Sequence, residues 1–187
     1  MRFLGVIAED KSDVEVVDTL ARKIARAKFT VRSAIGHGCG RLQGKALSYA
    51  HQLRRERCSL LMLVCDLDQN SLADLSSRLR HALQPCPIDR HVVVIPVQEM
   101  EAWLLADHDA VSDAFKLHTR LKKQPNPEGI QHPKERLRDL IEQRSRRRVR
   151  YVSAVHNRLI ARHARLEQLR RCASFTGFEK FVRTHLG

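Results

Sequence analysis

The chain is expected to fold as an α/β protein, a mostly parallel four-stranded sheet flanked by helices over residues 1–106, with a helical extension over 107–187 packed on it. Three observations lead there. Four short apolar runs, FLGVIA (3–8), FTVRSAI (29–35), SLLMLVCDLD (59–68) and HVVVIPV (91–97), are too brief for helices and read as strands. Helical patterns separate them, and that alternation implies parallel pairing through right-handed crossovers. Beyond Ala106 no strand pattern follows.

The elements follow in order. After the first strand, Asp10 or Ser12 can cap a helix in which Val14, Val17, Leu20, Ala21 and Ile24 recur at helical spacing. The glycine-punctuated GHGCGRLQG (36–44) leads from the second strand into a helix from about Leu42 to Arg57. The third strand is hydrophobic without alternation, as strands covered on both faces are. Leu72, Leu75, Leu79 and Leu83 mark the next helix, and EMEAWLLAD (99–107) opens another after the fourth strand. QPNPEGIQHP (124–133) reads as a loop, and helices are expected over 134–145, 152–172 and 177–186.

Composition narrows the class. With 43% hydrophobic and only 5% aromatic residues, the core is aliphatic. No stretch approaches the roughly 20 apolar residues of a membrane span, and MRFLGVIA is too short for a signal peptide, so a cytoplasmic location is expected. The five cysteines, Cys39, Cys58, Cys65, Cys86 and Cys172, follow no zinc-ligand spacing and read as small buried hydrophobes in a reducing compartment. His156 and His163 can share a helix face but lack a third partner for zinc. A net charge of +13, concentrated in RSRRRVR (144–150) and in 158–171, favours a polyanionic partner.

The acids gather where ligands bind in open parallel sheets, beyond the carboxyl ends of the strands. Strand one ends on Glu9 and Asp10, with Asp13 a helical turn further on; strand three ends on Asp66 and Asp68; Glu99 and Glu101 follow strand four. Alternation places Asp66 and Asp68 on one side with Leu67 turned away. Carboxylates held together repel, and desolvating them is costly. A hard dication such as Mg²⁺, which takes oxygen ligands, relieves both penalties. The plainer reading is that Asp66, Asp68 and the EDKSD segment cap helices, and Asp74, Asp107, Asp109 and Asp113 read as helix-surface acids.

A glutamate after the first strand and a DxD after a later one resemble the Toprim domain of topoisomerases, primases and the nucleases of the overcoming-lysogenization-defect class. Where that first motif has glycine after the glutamate, this chain has Asp10. More specifically, PVQEMEAWLLAD (96–107), HPKERL (132–137) and RCASFTGFEKFV (171–182) resemble domain-of-unknown-function family 4276, over nearly the whole chain. The resemblance implies a Toprim-like, Rossmann-like sheet and a metal held by Glu9, Asp66 and Asp68. It also implies further acids matched by Asp13 and by EMEAW, a role in phage defence, and a separate ATPase subunit as partner. The chain itself has no Walker A motif.

The function expected is that of a nuclease using Mg²⁺ or Mn²⁺ to hydrolyse phosphodiester bonds in DNA. Glu9, Asp66 and Asp68 would hold one ion, and Asp13 with Glu99 or Glu101 a second. Lys134 is a candidate for stabilising charge on the transferring phosphate, against the reading of an exposed helix-start lysine. Arg41 and Lys45 by the glycine loop, and Arg144, Arg146, Arg147, Arg148 and Arg150, would grip backbone phosphates. The alternative is a catalytically silent subunit that binds nucleic acid or the ATPase, and assembly with further copies of itself fits either. A receiver-type signalling domain fits less well, because no fifth strand supplies its lysine.

Overall fold

A computed structural model describes residues 2–187. Four strands, β1 (Arg2–Ala8), β2 (Phe29–Ile35), β3 (Leu60–Val64) and β4 (His91–Val94), form one all-parallel sheet in the order β2-β1-β3-β4. Chain direction across the sheet reverses between β1 and β3. Helix α1 (Lys11–Ile24) covers one face on the way out to β2; α2 (Cys39–Arg55) and α3 (Leu72–Ala82) cover the other on the way back.

Strand alternation divides the core in two. Leu4, Val6 and Ala8 of β1 and Leu60, Met62 and Val64 of β3 join the α1 side; Ile7, Leu61 and Leu63 join the side of α2 and α3. The α1 side also takes most of the later helices: α4 (Glu101–Ala106), α5 (His108–Ala114), α6 (Pro133–Arg144), α7 (Ser153–His163), α8 (Leu166–Leu169) and α9 (Phe175–Leu186). Helix α7 lies along α1, and α9 packs on both α1 and β4. The helical extension therefore completes the hydrophobic core on that face.

Trp103 anchors this packing. It is fully buried, meets Phe175 edge-on at 5.1 Å, and donates its indole N–H to Ser174 Oγ at 2.7 Å. The Glu128 carboxylate accepts the backbone N–H groups of Ala173 and Ser174. Glu99 does the same for Lys134 N at 2.8 Å, capping the start of α6. EMEAW, HPKERL and the RCASF segment, far apart in sequence, thus meet around α4.

Three expectations are corrected. The helix expected over 152–172 is broken between α7 and α8, because Arg165 turns aside to Asp107. Asp107 is no surface acid: it is fully buried, caps α5 through Ala110 N, and is held by the guanidinium of Arg165 at 2.7 and 2.9 Å. The helix opened by EMEAWLLAD and expected to carry Asp109 and Asp113 on its surface is broken at Asp107 into α4 and α5. Elsewhere boundaries move by only a few residues, and among the described residues no helix is long and apolar enough to cross a membrane.

Candidate metal centre

Because β1 and β3 are neighbours and their crossovers run to opposite sides, their carboxyl ends flank the crevice where an open sheet takes its ligands. Glu9 follows β1 directly. Its Oε1 accepts the backbone N–H of Asp66 at 3.1 Å and lies 3.2 Å from Cys65 Sγ. Pairing beyond β3 keeps the Asp66 segment extended: Leu67 N donates to Pro96 O and Asp68 N to Gln98 O. Asp66 Oδ1 then accepts Met100 N at 3.0 Å, which ties the third strand end to the start of α4.

Asp13 reaches the same place from α1. Asp10 is the cap, accepting Ser12 N and Asp13 N, and Asp13 Oδ2 closes the box on Asp10 N at 3.3 Å. The capping reading of EDKSD is therefore correct as far as it goes. Asp13 is nonetheless buried and stands among other acids, which a cap does not require.

Of the two glutamates after β4, Glu101 turns inward and is buried. Asn157 Nδ2 donates to its Oε1 at 3.0 Å, with Tyr151 OH at 3.4 Å. Glu99, two residues earlier, turns to the cap of α6. Glu99 lies before α4, so the two are separated by their partners, the Lys134 amide and Asn157. Asn157 and Tyr151, which position Glu101, carried no signal in the sequence.

The electrostatics bind the group together. Burial, then the charges of Asp13, Glu101, Glu9 and Asp68, push the Asp66 carboxyl well above its ordinary range. Burial first, then Asp10 and Glu101, pushes Asp13 up to about 8. Glu9 and Glu101 are raised chiefly by burial; Cys65 and the Asp66 N–H temper Glu9, and Asn157 and the Lys134 charge temper Glu101. Among the described residues, none of these four carboxylates has a salt-bridge partner. The bonds that hold each one use a single oxygen. These four carboxylates raise one another's pKa, a repulsion that a hard dication would relieve by drawing their oxygens together.

Asp68 lies at the rim. It is exposed, its backbone is left-handed at φ 48°, and it lines a cleft of about 410 Å³ with Glu99, Gln98 and His132. Its charge still raises both Glu9 and Asp66, so the cleft adjoins these half-buried acids. Lys134 is exposed beside that cleft, and its charge is felt by Glu101.

The basic residues fall in two places. Arg41 and Lys45 are exposed one turn apart near the start of α2. Arg144, Arg146 and Arg148 line a cavity of about 460 Å³ with Lys116 and His118, whereas Arg147 and Arg150 are exposed outside its lining. No carboxylate lines that cavity.

One signal was missed. Cys39 and Cys65, read as inert, lie with Sγ atoms 3.2 Å apart beside Glu9. Their sequence separation hid it.

No curated protein and no solved structure matches the chain. A family model, described as Domain of unknown function (DUF4276), matches residues 8–183, a span that takes in every acid of the centre from Glu9 to Glu101 and the helices that bury them. The chain belongs to the DUF4276 family.

Proposed function

We propose that the chain is a Toprim-type nuclease that uses Mg²⁺ or Mn²⁺ to hydrolyse phosphodiester bonds in DNA, as the effector of a phage-defence system with a separate ATPase subunit. The observation that carries the reading is a set of four carboxylates without a salt-bridge partner among the described residues, buried Asp13 and Glu101 and half-buried Glu9 and Asp66, at the point where strand order reverses. These residues would hold the metal, with Asp68 at the open side. A dication there would polarise a phosphodiester oxygen and lower the pKa of bound water.

The protein's own groups do the rest. Asn157 and Tyr151 keep Glu101 aimed inward, and Met100 N keeps Asp66 from swinging away. The exposed cleft lined by Asp68 and Glu99 admits a backbone, and Lys134 at its edge offers a positive charge to a phosphate. The arginine-lined cavity and the Arg41–Lys45 pair would hold flanking phosphates, positioning the strand without reading its bases.

A silent binding subunit is the alternative, and it draws on Glu9, whose Oε1 is already engaged by Asp66 N and the Cys65 thiol. Plasmid cleavage separates the two. Wild type with Mg²⁺ or Mn²⁺, alone or with the ATPase, should nick or linearise DNA, and Asp66→Ala should lower the rate by about a hundredfold or more. Equal cleavage by Asp66→Ala, or silence in every combination, contradicts the nuclease reading.

A further inference from the structure

Cys39 opens α2 and Cys65 follows β3, yet the fold sets both against Glu9. Cys65 Sγ is 3.2 Å from Glu9 Oε1 and 3.2 Å from Cys39 Sγ. One ligand atom from each of the three residues lies within 4.8 Å of the other two. The residues come from three separate elements, so no local turn brings them together. Gln43, one turn along α2, donates to Cys39 Sγ at 3.0 Å and holds that side chain in place. Cys58, Cys86 and Cys172 take no part in the group.

Two sulfurs and one oxygen suit Mg²⁺ poorly and thiophilic dications well. With Zn–S near 2.3 Å and Zn–O about 2.0–2.2 Å, tetrahedral edges between ligands run about 3.5–3.8 Å. The two edges that meet at Cys65 therefore need to open by only about half an ångström. Cys65 is buried, whereas Glu9 and Cys39 are partly exposed, so a fourth position faces outward. Three protein ligands and one open position are a recurrent zinc arrangement.

We propose that Glu9, Cys39 and Cys65 form a site for a thiophilic divalent cation such as Zn²⁺, and that filling it withdraws Glu9 from the neighbouring acidic centre. A soft ion and a hard ion then compete for one carboxylate, and zinc opposes magnesium. The antagonism rests on the acidic centre proposed above; the sulfur site does not.

The test is a Co²⁺ titration of the reduced, metal-free full chain, followed by absorption. The expected result is thiolate-to-cobalt charge transfer that saturates at one ion per chain and is displaced by Zn²⁺. Affinity should fall at least tenfold in Cys39→Ser and in Cys65→Ser and be unchanged in Cys86→Ser. Should buried Cys65→Ser fail to fold, Cys39→Ser, at a partly exposed position, decides alone. No charge-transfer band, or one that Cys39→Ser leaves intact, overturns the site. Asp66→Asn should keep the cobalt band, which separates failure of this site from failure of the nuclease reading. For the antagonism, saturating Zn²⁺ should weaken Mn²⁺ binding at least tenfold in wild type and leave it unchanged in Cys39→Ser. Mn²⁺ binding indifferent to Zn²⁺, or absent altogether, overturns it.

Discussion

Glu9 Oε1 accepts the backbone N–H of Asp66 at 3.1 Å, so the first strand's terminal acid is fastened to the third strand's. That bond needs an acceptor oxygen but no charge, whereas a metal needs the charge. Glu9→Gln should therefore fold with wild-type stability and bind Mn²⁺ at least about tenfold more weakly. Glu9→Ala should in addition lose about 1 kcal/mol, measured by urea denaturation. Equal Mn²⁺ affinity in wild type and Glu9→Gln would remove Glu9 from the centre.

Asp13 makes stability depend on pH. Its folded pKa of about 8 lies far above the roughly 3.9 of an unfolded aspartate. Between those values the folded chain carries a proton that the unfolded chain has lost, so stability falls as pH rises and levels off above about 8. Asp107 and Glu179 work in a different window. Burial raises Asp107 but the Arg165 bonds outweigh it, and Arg170 holds Glu179 down; both contributions are lost only in acid. Without divalent ions, the Tm of wild type should drop between about pH 5.5 and 8 relative to Asp13→Asn. Mn²⁺ should restore more Tm at about pH 8, because its ligands must be deprotonated. Parallel Tm curves for the two chains would contradict this.

Arg165 holds a fully buried carboxylate through its backbone N–H and both sides of its guanidinium fork. Arg165→Ala leaves Asp107 charged and unpaired. The side chain of Arg165 is itself 44% exposed, which moderates the loss to about 2–3 kcal/mol, read from urea or thermal unfolding. Because the pair also sets the break between α7 and α8, hydrogen exchange should quicken there first.

The arginine cavity is testable without cleavage. Each phosphate contact contributes a slope of about −0.9 in log Kobs against log salt. Replacing Arg144, Arg146 and Arg148 with Gln should reduce the slope for duplex DNA by about 2–3 and weaken binding alike for all sequences. An unchanged slope would place the nucleic acid elsewhere.

The sheet was legible in the sequence because strand signals are local: short apolar runs without alternation mark β1 and β3, and Asp10 marks the start of α1. Glu9, Asp13, Asp66 and Glu101 were likewise visible, since parallel topology sends every strand's carboxyl end to one edge. What stayed hidden depends on contacts across the chain. The choice of Glu101 over Glu99 is made by Asn157 and by the amide of Lys134. The burial of Asp107 is made by Arg165, and the Cys39–Cys65 approach by β3 and α2 sharing a sheet face. Residues so far apart give no periodic signal.

The most direct test of the acidic centre is a crystal of the chain soaked in Mn²⁺, with anomalous difference density. The account requires a peak bounded by Glu9, Asp13, Asp66 and Glu101, missing from an Asp66→Asn crystal soaked alike. A peak only at Asp107–His108–Asp109, whose ligand atoms lie within 4.8 Å of one another, or no peak between Glu9 and Asp66, would contradict it.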